Sequence, residues 1–198
     1  MQAKKPSNPW INRNRKLFLW INVIIFLGIW FFTKPLLPLS YSVMDLLEGF
    51  GALFVVAGVI GRIYSSLTIA SHKNEKVVNT EMYSVVRHPL YFFSFLLAVG
   101  IGLLAGRIEL FLYLIVFYIA CFYPMVLNEE KFLVKKFGKK YMDYQKQVPM
   151  FIPNFSKWRA RETAEIHMRL VTRTIMDGAL FLLIIPAIEI VEFMVNLI

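Results

Sequence analysis

The stretch RHPLYFFSFLLAVGIGLLAGRIELFLYLIVFYIACFYPMVLNEE, residues 87–130, decides how the rest of the chain is read. Two apolar runs, Pro89–Ala105 and Glu109–Leu127, are separated only by a break at Gly106-Arg107. A connection that short makes the two runs an antiparallel helical hairpin. Polar residues mark its open ends, Arg87-His88-Pro89 on one side and Asn128-Glu129-Glu130 on the other. Residues far apart in sequence therefore face one another across one end of the hairpin.

The chemistry of these ends is complementary. Proline is favoured at the first helical position, where its missing N–H costs nothing. It also pushes the preceding residue, His88, out of helical geometry. A helix starting at Pro89 opens with unpaired backbone N–H groups, which attract a carboxylate or phosphate. Arg87 adds a full charge beside them. Glu129 and Glu130 sit at a helix C-terminus, where the dipole favours cations over anions. Their placement suits a ligand's cationic group or sugar hydroxyls. Arg87 and Glu130, one from each rim, are the candidate catalytic residues. The plainer readings are a membrane-surface anchor for Arg87 and an N-terminal cap for His88.

Working outward, the 198 residues are 58% hydrophobic with a mean hydropathy of +0.57. Ordinary soluble domains are about 45–50% apolar. Further apolar runs occur at Leu17–Leu37, Val43–Leu67 and Ile175–Ile198. No small-residue cleavage site follows the first, so it reads as a membrane helix rather than a signal peptide. The predicted fold is all-α: an integral membrane bundle of about five transmembrane helices with cytoplasmic amphipathic helices, in one domain over residues 1–198. Twenty of the 22 Lys and Arg residues fall in the N-terminal arm or in two long segments, leaving Lys34 and Arg107 on the other side. By the positive-inside rule, the N-terminus and the Arg87/Glu130 end face the cytoplasm, in a bacterial inner membrane. This distribution accounts for the net charge of +9 without a nucleic acid partner. The lone cysteine, Cys121, cannot form an internal disulfide, and no Cys/His cluster has metal-ligand spacing.

After the Glu pair, Leu133, Phe137, Tyr141, Tyr144 and Val148 recur at spacings of 4, 4, 3 and 4 with lysines between them. This predicts a basic amphipathic helix lying on an anionic leaflet, or else a solvated surface helix. Gly138 permits a bend, and Pro149 and Pro153 end the pattern. The polar segment Ser65–Met82 is too long for a plain turn and is expected to fold over the hairpin's mouth. Glu48, Glu189 and Glu192, costly within a membrane, are expected to pair or to line a polar cavity.

The segments VVNTEMYSVVRHPLY (77–91) and EEKFLVKKFGKKYMDYQKQVPMFIP (129–153), joined by the hairpin, resemble the isoprenylcysteine carboxyl methyltransferase and phospholipid methyltransferase superfamily of membrane enzymes. The resemblance covers roughly residues 60–153, leaving 154–198 as a C-terminal amphipathic segment and last membrane helix. It implies binding of S-adenosylmethionine from the cytosol and methylation of a lipid-like or small lipophilic acceptor from the bilayer. It implies that Glu75, Lys76, Val77, Val78, Tyr83, His88, Pro89, Leu90, Tyr91 and Glu129 contact the cofactor. Two positions depart from the family pattern. Glu81 stands where a Gly is frequent, and Met125 stands where prenylcysteine methyltransferases carry an Arg that holds the substrate carboxylate. A thioether cannot do that, so a prenylcysteine carboxylate is not the expected acceptor. The competing readings are an NADPH-dependent membrane reductase of the sterol type and a non-enzymatic lipid-binding subunit. Nothing in the pattern indicates an oligomeric state.

Overall fold

The computed structural model describes residues 9–33, 35–37, 39–70, 76–160, 172, 175–176, 178–179 and 182–196, with side chains from residue 21 onward except 70, 192, 195 and 196. The described part is all-α. Its helices are α1 (Pro9–Phe32), α2 (Tyr41–Ala70), α3 (Met82–Val85), α4 (Pro89–Leu104), α5 (Ile108–Phe137), α6 (Lys139–Gln147) and α7 (Ile184–Asn196), with a 3-10 turn at Phe155–Lys157 between α6 and α7.

The expectation of about five transmembrane helices is corrected. Among the described residues, only Tyr41–Ile69 and Ile108–Phe137 are long and apolar enough to cross a membrane. Helix α4 has 16 residues, or about 24 Å at 1.5 Å per residue, against a hydrocarbon core of about 30 Å. It ends at the turn where Gly106 takes a left-handed φ of 62°. Helix α1 ends at Phe32, short of the sequence run to Leu37, and over its residues with described side chains the apolar part is Ile21–Phe32. Helix α7 has 13 residues, and the run expected from Ile175 lies partly outside the described residues. Apolar run length alone counted across helix ends and turns.

Close backbone approach holds α2 against α4. A Cβ on Gly100 would stand 2.7 Å from Gly51 O and 2.8 Å from Val55 N, so only glycine lets the two helices pack at this crossing. Val55, Val59, Leu97, Leu104 and Leu110 fill the adjoining core, and Trp30 of α1 and Ile188 of α7 close it. Arg107 Nη1 donates to Trp30 O and Thr33 O, both at 2.8 Å. It thereby satisfies carbonyls that the end of α1 leaves without helical partners. Outward faces remain apolar: Ile108, Leu112, Val116, Ile119 and Tyr123 of α5 are all exposed, at helical spacing.

Two further differences from the sequence reading concern the site. Helix α2 runs to Ala70, so the expected polar segment from Ser65 begins as helix, and Arg62 stands inside that helix. The basic amphipathic stripe is split between two helices, because Gly138 adopts φ 56° and ψ −132° between α5 and α6. Its apolar face does not lie free for a lipid leaflet. Tyr141, Tyr144 and Val148 are buried together with Val77, Leu133, Val134 and Phe137 packed on them. Beyond α6, residues 149–159 run along residues 81–87. Pro149 O accepts from Arg87 N (2.9 Å), Asn154 N donates to Val85 O (3.0 Å), and Arg159 O accepts from Glu81 N (2.7 Å). These bonds tie residues past Pro153 to the segment that leads into α4.

Candidate active site

The two ends of the α4–α5 hairpin meet. Arg87 Nη1 lies 2.6 Å from Glu130 Oε2, and His88 Nε2 donates to Glu130 Oε1 at 2.8 Å. Tyr141 OH donates to the same Oε1 at 3.0 Å, and Gln145 Nε2 also bonds the carboxylate. Residues just before α4 and on the face of α6 thus converge on one buried acid within α5, which continues to Phe137, so Glu129 and Glu130 lie inside the helix and not at its C-terminus as expected. His88 precedes Pro89 as expected, but its side chain makes no capping hydrogen bond. Its ring reaches across to Glu130 instead. A buried carboxylate is tolerated when donors and an opposite charge surround it, and this one has both.

Glu129 is placed differently. One residue along the helix turns it away from the buried network and into a cavity of about 350 Å³. There its Oε2 accepts from Tyr91 OH at 3.1 Å. The cavity is also lined by Lys76, Val77, Val78, Tyr83, Arg87, His88, Pro89, Leu90 and Tyr91. Of the ten cofactor candidates, nine border this single space, and Glu75 lies outside the described residues. Of the two catalytic candidates, Arg87 borders the cavity. Glu130 does not; it sits behind the wall and holds Arg87 and His88.

Burial raises the phenols of Tyr83, Tyr141 and Tyr144 well above their usual range, with Glu130 adding to the effect at Tyr141. They remain protonated donors. Tyr144 uses its hydroxyl on Tyr83 O at 2.7 Å, locking α6 to α3. One polar atom of the wall is unsatisfied: Arg87 Nε is buried and has no hydrogen-bond partner. The first bond of α4 runs from Phe92 N to His88 O, so the N–H groups of Leu90 and Tyr91 precede the helical ladder.

Sequence reasoning missed the holders of Glu130. Tyr141 was legible only as part of an apolar stripe, and Gln145 carried no signal. It also missed Arg62, which belongs to the cavity wall together with Ser94, Phe122 and Met125.

Residues 24–140 match the phospholipid methyltransferase family, and the chain belongs to that family. It is similar to the nickel-cobalt-cadmium resistance protein NccN of Alcaligenes xylosoxydans xylosoxydans, 32% identical over 142 residues, which are 70% of this chain and 66% of that protein. The cobalt-zinc-cadmium resistance protein CzcN of Cupriavidus metallidurans is 32% identical over 141 residues, 71% of this chain and 64% of its own. A protein-S-isoprenylcysteine O-methyltransferase of Schizosaccharomyces pombe is 32% identical over 95 residues, 47% of this chain and 40% of that enzyme. The chain thus spans just under two thirds of the length of the two resistance proteins. No solved structure matches.

Proposed function

We propose that the protein transfers a methyl group from S-adenosylmethionine to a lipid-like or small lipophilic acceptor at the membrane face. The observation that carries this reading is the convergence of nine cofactor candidates on one cavity at the end of an apolar helical pair. The residues present fit the cofactor. Arg87 Nε is a buried donor in need of an acceptor, and the amides of Leu90 and Tyr91 add donors at a helix N-terminus suited to a carboxylate. Glu129, across the cavity, is an acceptor suited to an ammonium group or ribose hydroxyls. S-adenosylmethionine, when bound, supplies a methyl group on a sulfonium, ready for displacement by a nucleophile.

The chain's own contribution is alignment and exclusion of water. Tyr91 orients Glu129. Glu130 fixes Arg87 and His88 so that they need not reorganise when a ligand arrives. Val77, Val78, Leu133 and Phe137 form apolar wall, and α6 covers it. The exposed apolar stripe of α5 faces where lipid would be. Exposed lysines gather at the C-terminal end of α5 and on α6, which supports a cytoplasmic orientation for this end. The metal resistance in the names of two relatives is a property of those proteins.

Titration calorimetry in a neutral detergent, with S-adenosylmethionine and separately with NADPH, tests the reading. Saturable binding of the first and not the second is expected. Binding of NADPH alone would favour the reductase, and binding of neither would sink the methyltransferase reading.

A further inference from the structure

We infer that Arg62, positioned by Ser94, forms an oxyanion anchor for the acceptor lipid. It rests on the proposed methyl transfer only in calling that lipid an acceptor. Arg62 lies inside α2, a helix long and apolar enough to cross a membrane. Its guanidinium is half-buried, and Nη1 reaches Ser94 Oγ and, at 3.5 Å, Leu90 O on α4. Ser94 Oγ is itself fixed by donating to Leu90 O at 2.7 Å. A charge among apolar helices is costly to keep, and such residues commonly mark a ligand path.

The cavity gives this cation its meaning. Along α5 the lining runs from Phe122 and Met125, through Glu129, to Leu133 and Phe137, a rise of about 22 Å. Lys76, Val77, Tyr141 and Tyr144 line it near the α6 end. Phe122, Met125, Arg62 and Ser94 line it at the end that continues into the apolar helices. The acid and the base stand on different levels of one cavity: Tyr91 contacts Glu129, and Ser94, three residues further along α4, contacts Arg62. That offset is about 4.5 Å. An acceptor whose tail lies among the helices and whose head reaches Glu129 therefore passes Arg62. The guanidinium fork binds a phosphate or carboxylate with two parallel N–H groups. Met125, on α5 in the same lining, provides flexible apolar surface and no charge. The anchoring charge comes from α2, not from the position on α5 one turn before Glu129.

The test is native mass spectrometry of the full chain released from a neutral maltoside detergent, with four probes at equal concentration. These are dioleoyl phosphatidic acid, dioleoylglycerol with the same chains, farnesylcysteine and inorganic phosphate. The native protein is expected to retain the phosphate lipid about tenfold over dioleoylglycerol. Arg62→Gln should abolish that preference, and Arg62→Lys should keep part of it. Preferred retention of farnesylcysteine, also lost in Arg62→Gln, would make the anchored oxyanion a carboxylate. Retention of inorganic phosphate alone would overturn the lipid assignment. A preference that survives Arg62→Gln would belong to the surface lysines and would overturn the anchor. Should Arg62→Gln fail to fold, the absence of any preference in the native protein still overturns it, and Ser94→Ala, expected to weaken retention, replaces the variant. Calorimetry with S-adenosylmethionine separates the two proposals. Cofactor binding without lipid preference sinks the anchor alone, whereas lipid preference without cofactor binding sinks the methyl transfer alone.

Discussion

Glu129 and Glu130 are adjacent in sequence, yet their removal should have opposite signatures. Glu130 is 7% exposed and holds Arg87, His88, Tyr141 and Gln145. Glu130→Ala leaves the Arg87 guanidinium, itself mostly buried, facing a void and strips His88 of its partner. Breaking a buried ion pair from one side costs about 3–5 kcal/mol. For a chain of this size each kcal/mol lowers the melting temperature by about 2–4 °C, so a fall on the order of 10 °C is expected. Glu129 borders the cavity and has one tyrosine hydroxyl on it at 3.1 Å. Glu129→Ala should shift melting by less than about 3 °C, since a neutral donor at a solvated site is worth about 1 kcal/mol. Its affinity for S-adenosylmethionine should instead fall about tenfold or more, the value of a charge-assisted hydrogen bond. Thermal melts followed by intrinsic fluorescence in detergent, paired with calorimetry on the same preparations, measure both. Equal melting of the two variants would refute the division of roles. So would undiminished cofactor affinity in a folded Glu129→Ala protein.

Four other outcomes can be checked with the same preparations. His88→Ala removes one donor to Glu130 and part of the cavity wall; it should weaken S-adenosylmethionine binding and lower melting by less than Glu130→Ala does. Gly100→Leu places a Cβ 2.7 Å from Gly51 O and should cost about 3 kcal/mol or more through backbone displacement, seen as loss of monodisperse protein. Gly49→Ala, which meets nothing within 4 Å, should elute normally and melt no lower than native. Glu81 holds φ 54° and ψ −135°, a conformation that costs a non-glycine residue about 1–3 kcal/mol, while its carboxylate accepts from Thr68 Oγ1 at 2.6 Å. Glu81→Gly loses the bond and the strain, Glu81→Ala loses only the bond, so the glycine variant should melt higher than the alanine variant; the reverse order would remove strain from the account.

How far the chain can be read without coordinates differs from element to element. The hairpin was legible because Pro89, Gly106 and the polar ends are local signals: each states where a helix starts or stops. That Arg87 and Glu130 face one another followed from the hairpin's geometry; that they bond to each other, with Glu130 behind the cavity wall, did not. Membrane spans were over-read, since apolar residues on a short packed helix such as α4 look the same as residues facing lipid. Only the α2–α4 crossing, built on Gly51 and Gly100, reveals that α4 packs its glycine face on protein. The stripe from Leu133 to Val148 was read with the right period and the wrong partner. Periodicity identifies an apolar face but says nothing about what covers it, and Val77, distant in sequence, is part of what does. Arg62 was hidden for a related reason. It lay inside the apolar run Val43–Leu67 but was counted with the cytoplasmic charges, and only the packing of α2 on α4 puts it in the cavity wall.

The same geometry ties the cover of the cavity to its contents. Helix α6 is held to the rest of the site through Tyr141 on Glu130, Gln145 on Glu130 and Tyr144 on Tyr83 O. Tyr141 and Tyr144 line the cavity, and Gln145 grips Glu130, which in turn holds Arg87 and His88 in the cavity wall. A ligand bound to Arg87, His88 and Glu129 therefore strengthens the frame on which α6 rests, and linkage requires that it stabilise the protein by RT ln(1 + [L]/Kd). At a hundredfold excess of S-adenosylmethionine over Kd that is about 2.7 kcal/mol. Amide exchange in α6 should then slow on addition of the cofactor, more than in the outward-facing turns of α5. In Glu130→Ala the anchors Tyr141 and Gln145 lose their acceptor, so exchange in α6 should be fast and respond little to cofactor. Cofactor-dependent protection that persists undiminished in that variant would mean that α6 is held by its apolar packing on Val77 and Leu133 alone, and that the Glu130 network serves only Arg87 and His88.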